Sequence, residues 1–295
     1  MNVVRGIFSG IFSFVLVVFL VTLGIVVTIN HTILNPDFVI SELDKLDAYS
    51  IIADQVKTQL PEEEPYIVQV IEETLAELEP WLKDQTATVV YSGYAYLKGK
   101  EELNIVIPLE QVRANLKENL AQAIQESPPP ELEGATPSQI EAFISQACAE
   151  IDSHIPQQIE INEAFLGPEI VTQLQKAKEI VGYIEFGYKA LIGLAVLLIL
   201  IIALIQWWRA KPITRHVGTS CTIAGALSFA STIAARYFNF QAIQLDIPPE
   251  VGAKLPQLVG DLTHPLLMYS IGFLIVGIGL IILSIKLKSP DAENI

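Results

Sequence analysis

The sequence predicts a mainly α protein: a four-helix transmembrane bundle with a large, mostly helical extracytoplasmic domain that contains a minor two-stranded β element. Three observations point there. Residues 7–29, 190–208, 217–235 and 266–285 contain no Asp, Glu, Lys or Arg, and a helix of about 20 apolar residues crosses the hydrocarbon core of a bilayer. Charge is segregated: residues 30–185 hold 28 acidic and 9 basic side chains, whereas the rest of the chain holds 5 and 9. Two short runs, within residues 103–109 and 156–163, are rich in isoleucine and valine and read as strands.

The second apolar segment sets the orientation. It ends in Trp207-Trp208, followed by Arg209, Lys211 and Arg215. Indole rings favour the headgroup level, and short Lys/Arg-rich loops stay cytoplasmic. Tyr183, Phe186 and Tyr188 then lie near the outer face. Arg5 before the first span, and Lys286 and Lys288 after the fourth, agree with this placement. The expected order is an N-terminal signal-anchor helix at residues 1–29 and an acidic extracytoplasmic domain at 30–187. A three-helix transmembrane region follows at 188–288, with spans at about 188–208, 217–235 and 266–285 and an outer loop at 237–263. Residues 289–295 form a cytoplasmic tail. The first span is longer than a signal-peptide core and lacks a small-residue cleavage site, so it is expected to stay attached. Gly6 and Gly10 have helix-dimer spacing, but the preferred reading is two incidental glycines at the inner end.

Taken in order, Asn35-Pro36-Asp37 reads as a helix start, with Asn as N-cap, Pro in the first turn and an acid at the positive dipole end. Leu43, Leu46, Ile52, Val56 and Leu60 give that helix an apolar stripe. Pro61-Glu62-Glu63-Glu64-Pro65 breaks it. The next helix carries Ile67, Val70, Ile71, Leu75 and Leu78, is interrupted or kinked at Pro80, and resumes toward Leu97. After the first strand run, Val112, Leu116, Leu120 and Ile124 mark another helix, ended by Ser127-Pro128-Pro129-Pro130. Thr136, Pro137 and Gln139 form a capping-box start for a stripe of Ile140, Phe143, Ile144, Ala147 and Ile151. Cys148 beside that stripe reads as a buried structural thiol rather than a reactive one, because no base or cation is near it in sequence. The two strand runs are expected to pair. Gly167-Pro168 opens a helix with no breaker before Ala190, so domain and second span are expected to be one rod.

The third span differs from the others: 14 of residues 217–235 are Gly, Ala, Ser, Thr or Cys. Small residues let helices approach closely, which places it inside the bundle. Its hydroxyls could line a polar path, but bonds to their own backbone or to adjacent helices are the preferred reading. Pro248-Pro249, Leu255, Leu258 and Leu262 suggest a short amphipathic helix at the outer interface.

No catalytic, cofactor-binding or metal-ligating residue emerges. His31, His154, His216 and His264 lack the i, i+3 or i, i+4 partners of helical metal sites. Asp261 and His264 read as a helix cap rather than a catalytic pair. Gly218-Thr219-Ser220-Cys221 lacks the second glycine of a nucleophile elbow, and Glu62, Glu63 and Glu64 form no calcium loop. The two cysteines, Cys148 and Cys221, are not expected to pair. The acidic domain repels nucleic acid and anionic headgroups. Ion-coupled carriers keep ionisable groups at membrane depth, and the absence of Asp, Glu, Lys and Arg from the spans argues against such a carrier acting alone. With no phosphate loop, an ATP-driven role would need a separate partner.

The run from Trp81-Leu82 through Tyr94-Ala95-Tyr96-Leu97-Lys98-Gly99, then Ile105-Val106-Ile107-Pro108-Leu109, resembles stretches of uncharacterised prokaryotic four-span membrane proteins with a large helical extracytoplasmic loop. Asn35-Pro36-Asp37-Phe38 after the first span fits that group as well. The resemblance implies the topology and no activity. Permeases of the MacB and FtsX type, and claudin-like proteins, are similar in topology alone. The expectation is therefore a cell-membrane, multi-pass protein with both termini cytoplasmic and no enzymatic activity. It contacts the lipid bilayer and presents its acidic domain, or its third span, to a protein partner; nucleic acid is excluded. The alternative is a permease-like or accessory transport subunit that needs an energising partner.

Overall fold

A computed structural model describes residues 2–51, 65–129, 132, 134–238 and 249–287. The expected break at Pro61–Glu64, the stripe residues Ile52, Val56 and Leu60, Pro130, Pro248, Lys288 and residues 289–295 lie outside that set, as do the side chains of Arg5 and Ile67. The protein is mainly helical, 84%, with a small two-stranded sheet. It divides into two compact units, one of residues 1–38 with 180–295 and one of residues 39–179.

The first unit holds the apolar helices α1 (Asn2–His31), the larger part of α7 (Glu163–Ile205), α8 (Ala210–Arg236) and α9 (Pro249–Lys286). All four are long and apolar enough to cross a membrane, with mean hydropathies of 2.9, 2.7, 1.3 and 2.6 along the chain. The least apolar, α8, is the most enclosed: 39% of its most apolar stretch is buried, against 28%, 22% and 11% in the others. Leu16, Val17 and Leu20 of α1, Ala195, Leu198 and Ile202 of α7, and Val217, Cys221 and Ala224 of α8 form one core.

Small residues explain why α8 occupies the centre. A Cβ added to Gly218 would stand 2.9 Å from the Gly277 carbonyl oxygen, and one on Gly225 would stand 2.8 Å from that of Ser270. A Cβ on Gly277 would lie 2.6 Å from the Thr222 nitrogen. The α8 and α9 backbones therefore touch through glycine, as helix packing without a water-driven hydrophobic force requires. Gly6 and Gly10 face open space instead.

The end of α7 departs from expectation. The helix stops at Ile205, and Trp207 and Trp208 have φ of 52° and 57°. The Trp208 amide donates to the Ala203 carbonyl and the Trp207 amide to that of Leu204, each at 3.0 Å. This is the Schellman end of a helix, with tryptophan where glycine is usual. A left-handed backbone costs such a residue about 1–2 kcal/mol. In return both indoles are turned outward, 69% and 66% exposed.

The expected outer interfacial helix is not separate. Pro249–Lys286 is one helix that includes Pro256 and Pro265. Each proline removes one backbone donor from the helix. Here Arg236 Nη2 donates to the Gly260 carbonyl at 3.0 Å, and the Thr263 hydroxyl donates to that of Val259 at 2.7 Å. Asp261 and His264 thus lie inside α9, which corrects their reading as its cap.

The second unit carries the remaining elements. In α2 (Pro36–Lys45) the Asp37 amide donates to Asn35 Oδ1 at 3.1 Å, the expected N-cap. The helix ends earlier than its stripe suggested, because Asp47 turns left-handed at φ 55° and helix resumes only at residues 48–51. Next come α3 (Pro65–Glu77) and α4 (Glu79–Leu97), separated at Leu78 with Pro80 in the first turn of α4. Gly99, at φ 67°, closes α4 with a second Schellman turn in which the Lys100 amide reaches the Ala95 carbonyl at 2.9 Å. Strand β1 (Asn104–Pro108) pairs antiparallel with β2 (Gln158–Asn162), in a register that sets Val106 opposite Glu160.

Between the strands lie α5 (Glu110–Glu126) and α6 (Pro137–His154). Gln139 Oε1 accepts from the Thr136 amide at 2.9 Å, closing the expected cap. Two polar contacts join these helices to their neighbours. Asn119, 3% exposed, donates to Thr74 Oγ1 at 3.0 Å and to Glu77 Oε2 at 3.1 Å, tying α5 to α3. Asp152 of α6 pairs with Arg113 and, at 2.5 Å, with Lys117 of α5. The Lys117 and Arg113 hydrogen bonds hold the Asp152 carboxyl below the usual carboxylate range. Gly167 (φ 76°, ψ 166°) breaks the start of α7, so its regular helix begins at Pro168 as the sequence suggested.

Candidate functional site

Two recesses were built from polar side chains, one in each unit. The first opens between α1, α8 and α9 and has a volume of about 1050 Å³. Its polar lining comes from Ser13 of α1, Lys211, Arg215, His216 and Thr219 of α8, and Ser284 of α9. Gly10, Pro212, Ile281 and Ile285 complete it. Period and position explain the arrangement. Ser9, Ser13, Leu16 and Leu20 recur at helical spacing on α1, and all four are fully or partly buried. The opposite side of α1 leaves Phe8, Phe14 and Val18 exposed.

Hydrogen bonds fix the inner wall of this cleft. Ser13 Oγ lies 3.2 Å from His216 Nδ1, and its carbonyl accepts from Ser220 Oγ at 3.1 Å. One turn earlier, Gln206 Nε2 donates to Ser9 Oγ at 2.6 Å. The other hydroxyls on α8 are spent locally: Thr219 donates to the Arg215 carbonyl at 2.7 Å, Thr222 to that of Gly218 and Thr232 to that of Ser228, each at 2.9 Å. Bonding to backbone or to an adjacent helix is thus what these hydroxyls do.

The second recess, about 500 Å³, lies against the sheet in the other unit. Tyr96 forms its floor, 4% exposed, and packs with Leu103 and Ile105. Its hydroxyl donates to Glu163 Oε1 at 3.0 Å, and Lys178 Nζ sits 4.6 Å from the ring centre. Burial, then the hydrogen bond and charge of Glu163, push the Tyr96 phenol up from its ordinary value. Tyr96 thus has a carboxylate at its hydroxyl and an ammonium over its ring, and the group reads as the polar edge of a core.

His31, His154 and His264 fall in different elements and join neither recess. Among the described residues no group of three or more His, Cys, Asp and Glu could hold a metal ion. Cys148 and Cys221 are both free, and Cys148 is only half-buried, which corrects its reading as a buried thiol. Sequence reasoning overlooked Ser9, Ser13 and Gln206; the i, i+4 hydroxyls within an otherwise apolar span were the available signal. No protein-family model, curated protein or solved structure matches the chain.

Proposed function

We propose that this is a multi-pass protein of the cell membrane, with both termini cytoplasmic and residues 30–187 outside. It acts as a non-enzymatic scaffold that presents this acidic domain to a protein partner. The observation that carries the reading is α6. Its apolar stripe is only partly covered by the rest of its unit: Ile140, Ile144, Ala147 and Ile151 are half-buried, no residue of the helix is buried, and Phe143 is 36% exposed. Glu141 and Glu150 are exposed on the same helix. Glu150 lies two turns along from Phe143 on the same face, and an apolar side chain on an acidic helix suits a partner with a complementary basic, partly apolar face. The bundle supports a supporting rather than a conducting role, because its centre is filled by the small side chains of α8.

Affinity purification of the full-length protein from its native membrane tests the proposal. A co-purifying protein should be retained by the parent chain and lost from Phe143→Asp, whose change lies on a surface helix. Equal recovery by both would remove α6 from the account. Co-purification of a cytoplasmic ATPase would favour the accessory transport subunit instead.

A further inference from the structure

We propose that the cleft between α1, α8 and α9 binds the phosphate of an anionic phospholipid headgroup. Cationic and apolar groups meet there in one recess. Lys211 and Arg215 fall one turn apart on α8, while Pro212, Ile281 and Ile285 supply an apolar wall. No Asp or Glu lines the cleft. Arg215, which offers a planar fork of donors suited to phosphate, is exposed, and among the described residues no ion pair engages it.

Shape agrees with charge. A Cβ placed on Gly10 meets nothing within 4 Å, so the α1 side of the recess is open where a side chain would otherwise stand. The Ser13–His216 contact and the Ser220 bond to the Ser13 carbonyl hold α1 and α8 together beneath it. A free phosphate ion would satisfy the cationic half of this lining only. A phospholipid satisfies both halves, with its headgroup at Arg215 and an acyl chain along Ile281 and Ile285, of which Ile285 is 73% exposed. This assignment does not depend on which side of the membrane the cleft faces.

The full-length protein in a zwitterionic detergent–lipid mixture provides the test, with phosphatidylglycerol as probe and native mass spectrometry as readout. The parent chain should retain phosphatidylglycerol over phosphatidylcholine. Arg215→Gln should weaken retention about fivefold, the effect of one basic group at a lipid surface. Gly10→Leu should weaken it comparably by filling the recess while leaving every charge in place, and its thermal midpoint should match the parent's. A second arm adds inorganic phosphate without anionic lipid. If phosphate alone raises the parent's thermal midpoint and Arg215→Gln abolishes the rise, while phosphatidylglycerol is not retained, the site takes a phosphate group but a soluble anion is its source. Retention unchanged by both substitutions, or absence of any response to either probe, overturns the proposal.

Discussion

Gly277→Ala should destabilise the bundle by about 3 kcal/mol, the upper end of the overpacking range. The added carbon would lie 2.6 Å from the Thr222 nitrogen and 2.8 Å from the Gly218 carbonyl oxygen, and it would also overlap the Thr222 hydroxyl. Two of these neighbours are backbone atoms of α8, which cannot swing aside as the end of a side chain can. The helices must separate, and the contacts of Gly218 and Gly225 with α9 would loosen with them. Gly272→Ala supplies the control on the same helix, because its new carbon meets nothing within 4 Å. It should be neutral or slightly stabilising, since alanine favours helix over glycine by about 0.5–1 kcal/mol. Thermal unfolding of the detergent-solubilised protein separates the two. Equal midpoints for both variants would mean that α8 and α9 do not meet through glycine.

Tyr96→Ala should open a cavity at the sheet and cost about 3–5 kcal/mol, as aromatic-to-alanine changes in cores do. The ring is 4% exposed and shares a core with Leu103 and Ile105, against which Ile161, Leu166 and Leu174 pack. Its loss also leaves Glu163 and Lys178 without their shared partner. Tyr96→Phe keeps the packing and removes only the hydrogen bond to Glu163, so it should cost about 1 kcal/mol. Hydrogen exchange of the full-length protein reads this locally. Amides of residues 104–108 and 158–162 should lose protection in the alanine variant and nearly keep it in the phenylalanine variant. Unchanged protection in both would show that Tyr96 is not the centre of this core.

What could be read from the chain divides along physical lines. Local signals were legible: Asn35 as an N-cap, Gln139 closing the turn at Thr136, Gly167-Pro168 restarting a helix, and two β-branched runs that pair as β1 and β2. The interior position of α8 was legible too, because small residues have little else to gain in a membrane. What depends on a partner was not. Gly272, Gly277 and Gly279 look alike in α9, yet only Gly277 meets α8, since the contacting face is chosen by the other helix. Trp207 and Trp208 read as the end of a straight span, and no rule of propensity places two indoles in left-handed backbone. Pro248-Pro249, Leu255, Leu258 and Leu262 read as a short separate helix, whereas Pro249–Lys286 is one helix that runs through Pro256 and Pro265. The cleft escaped notice for a similar reason: Ser13, His216 and Ser284 come from three helices far apart in sequence.

The central claim, that the acidic domain and the basic ends of the spans lie on opposite sides of the membrane, is tested most directly by labelling single cysteines in intact cells. Glu141→Cys and Ala210→Cys, both at exposed positions, would each be placed in a chain carrying Cys148→Ala and Cys221→Ala. With an impermeant thiol reagent, Glu141→Cys should be labelled at once and Ala210→Cys only after the membrane is opened. Labelling of Ala210→Cys in intact cells, with Glu141→Cys protected, would contradict the account.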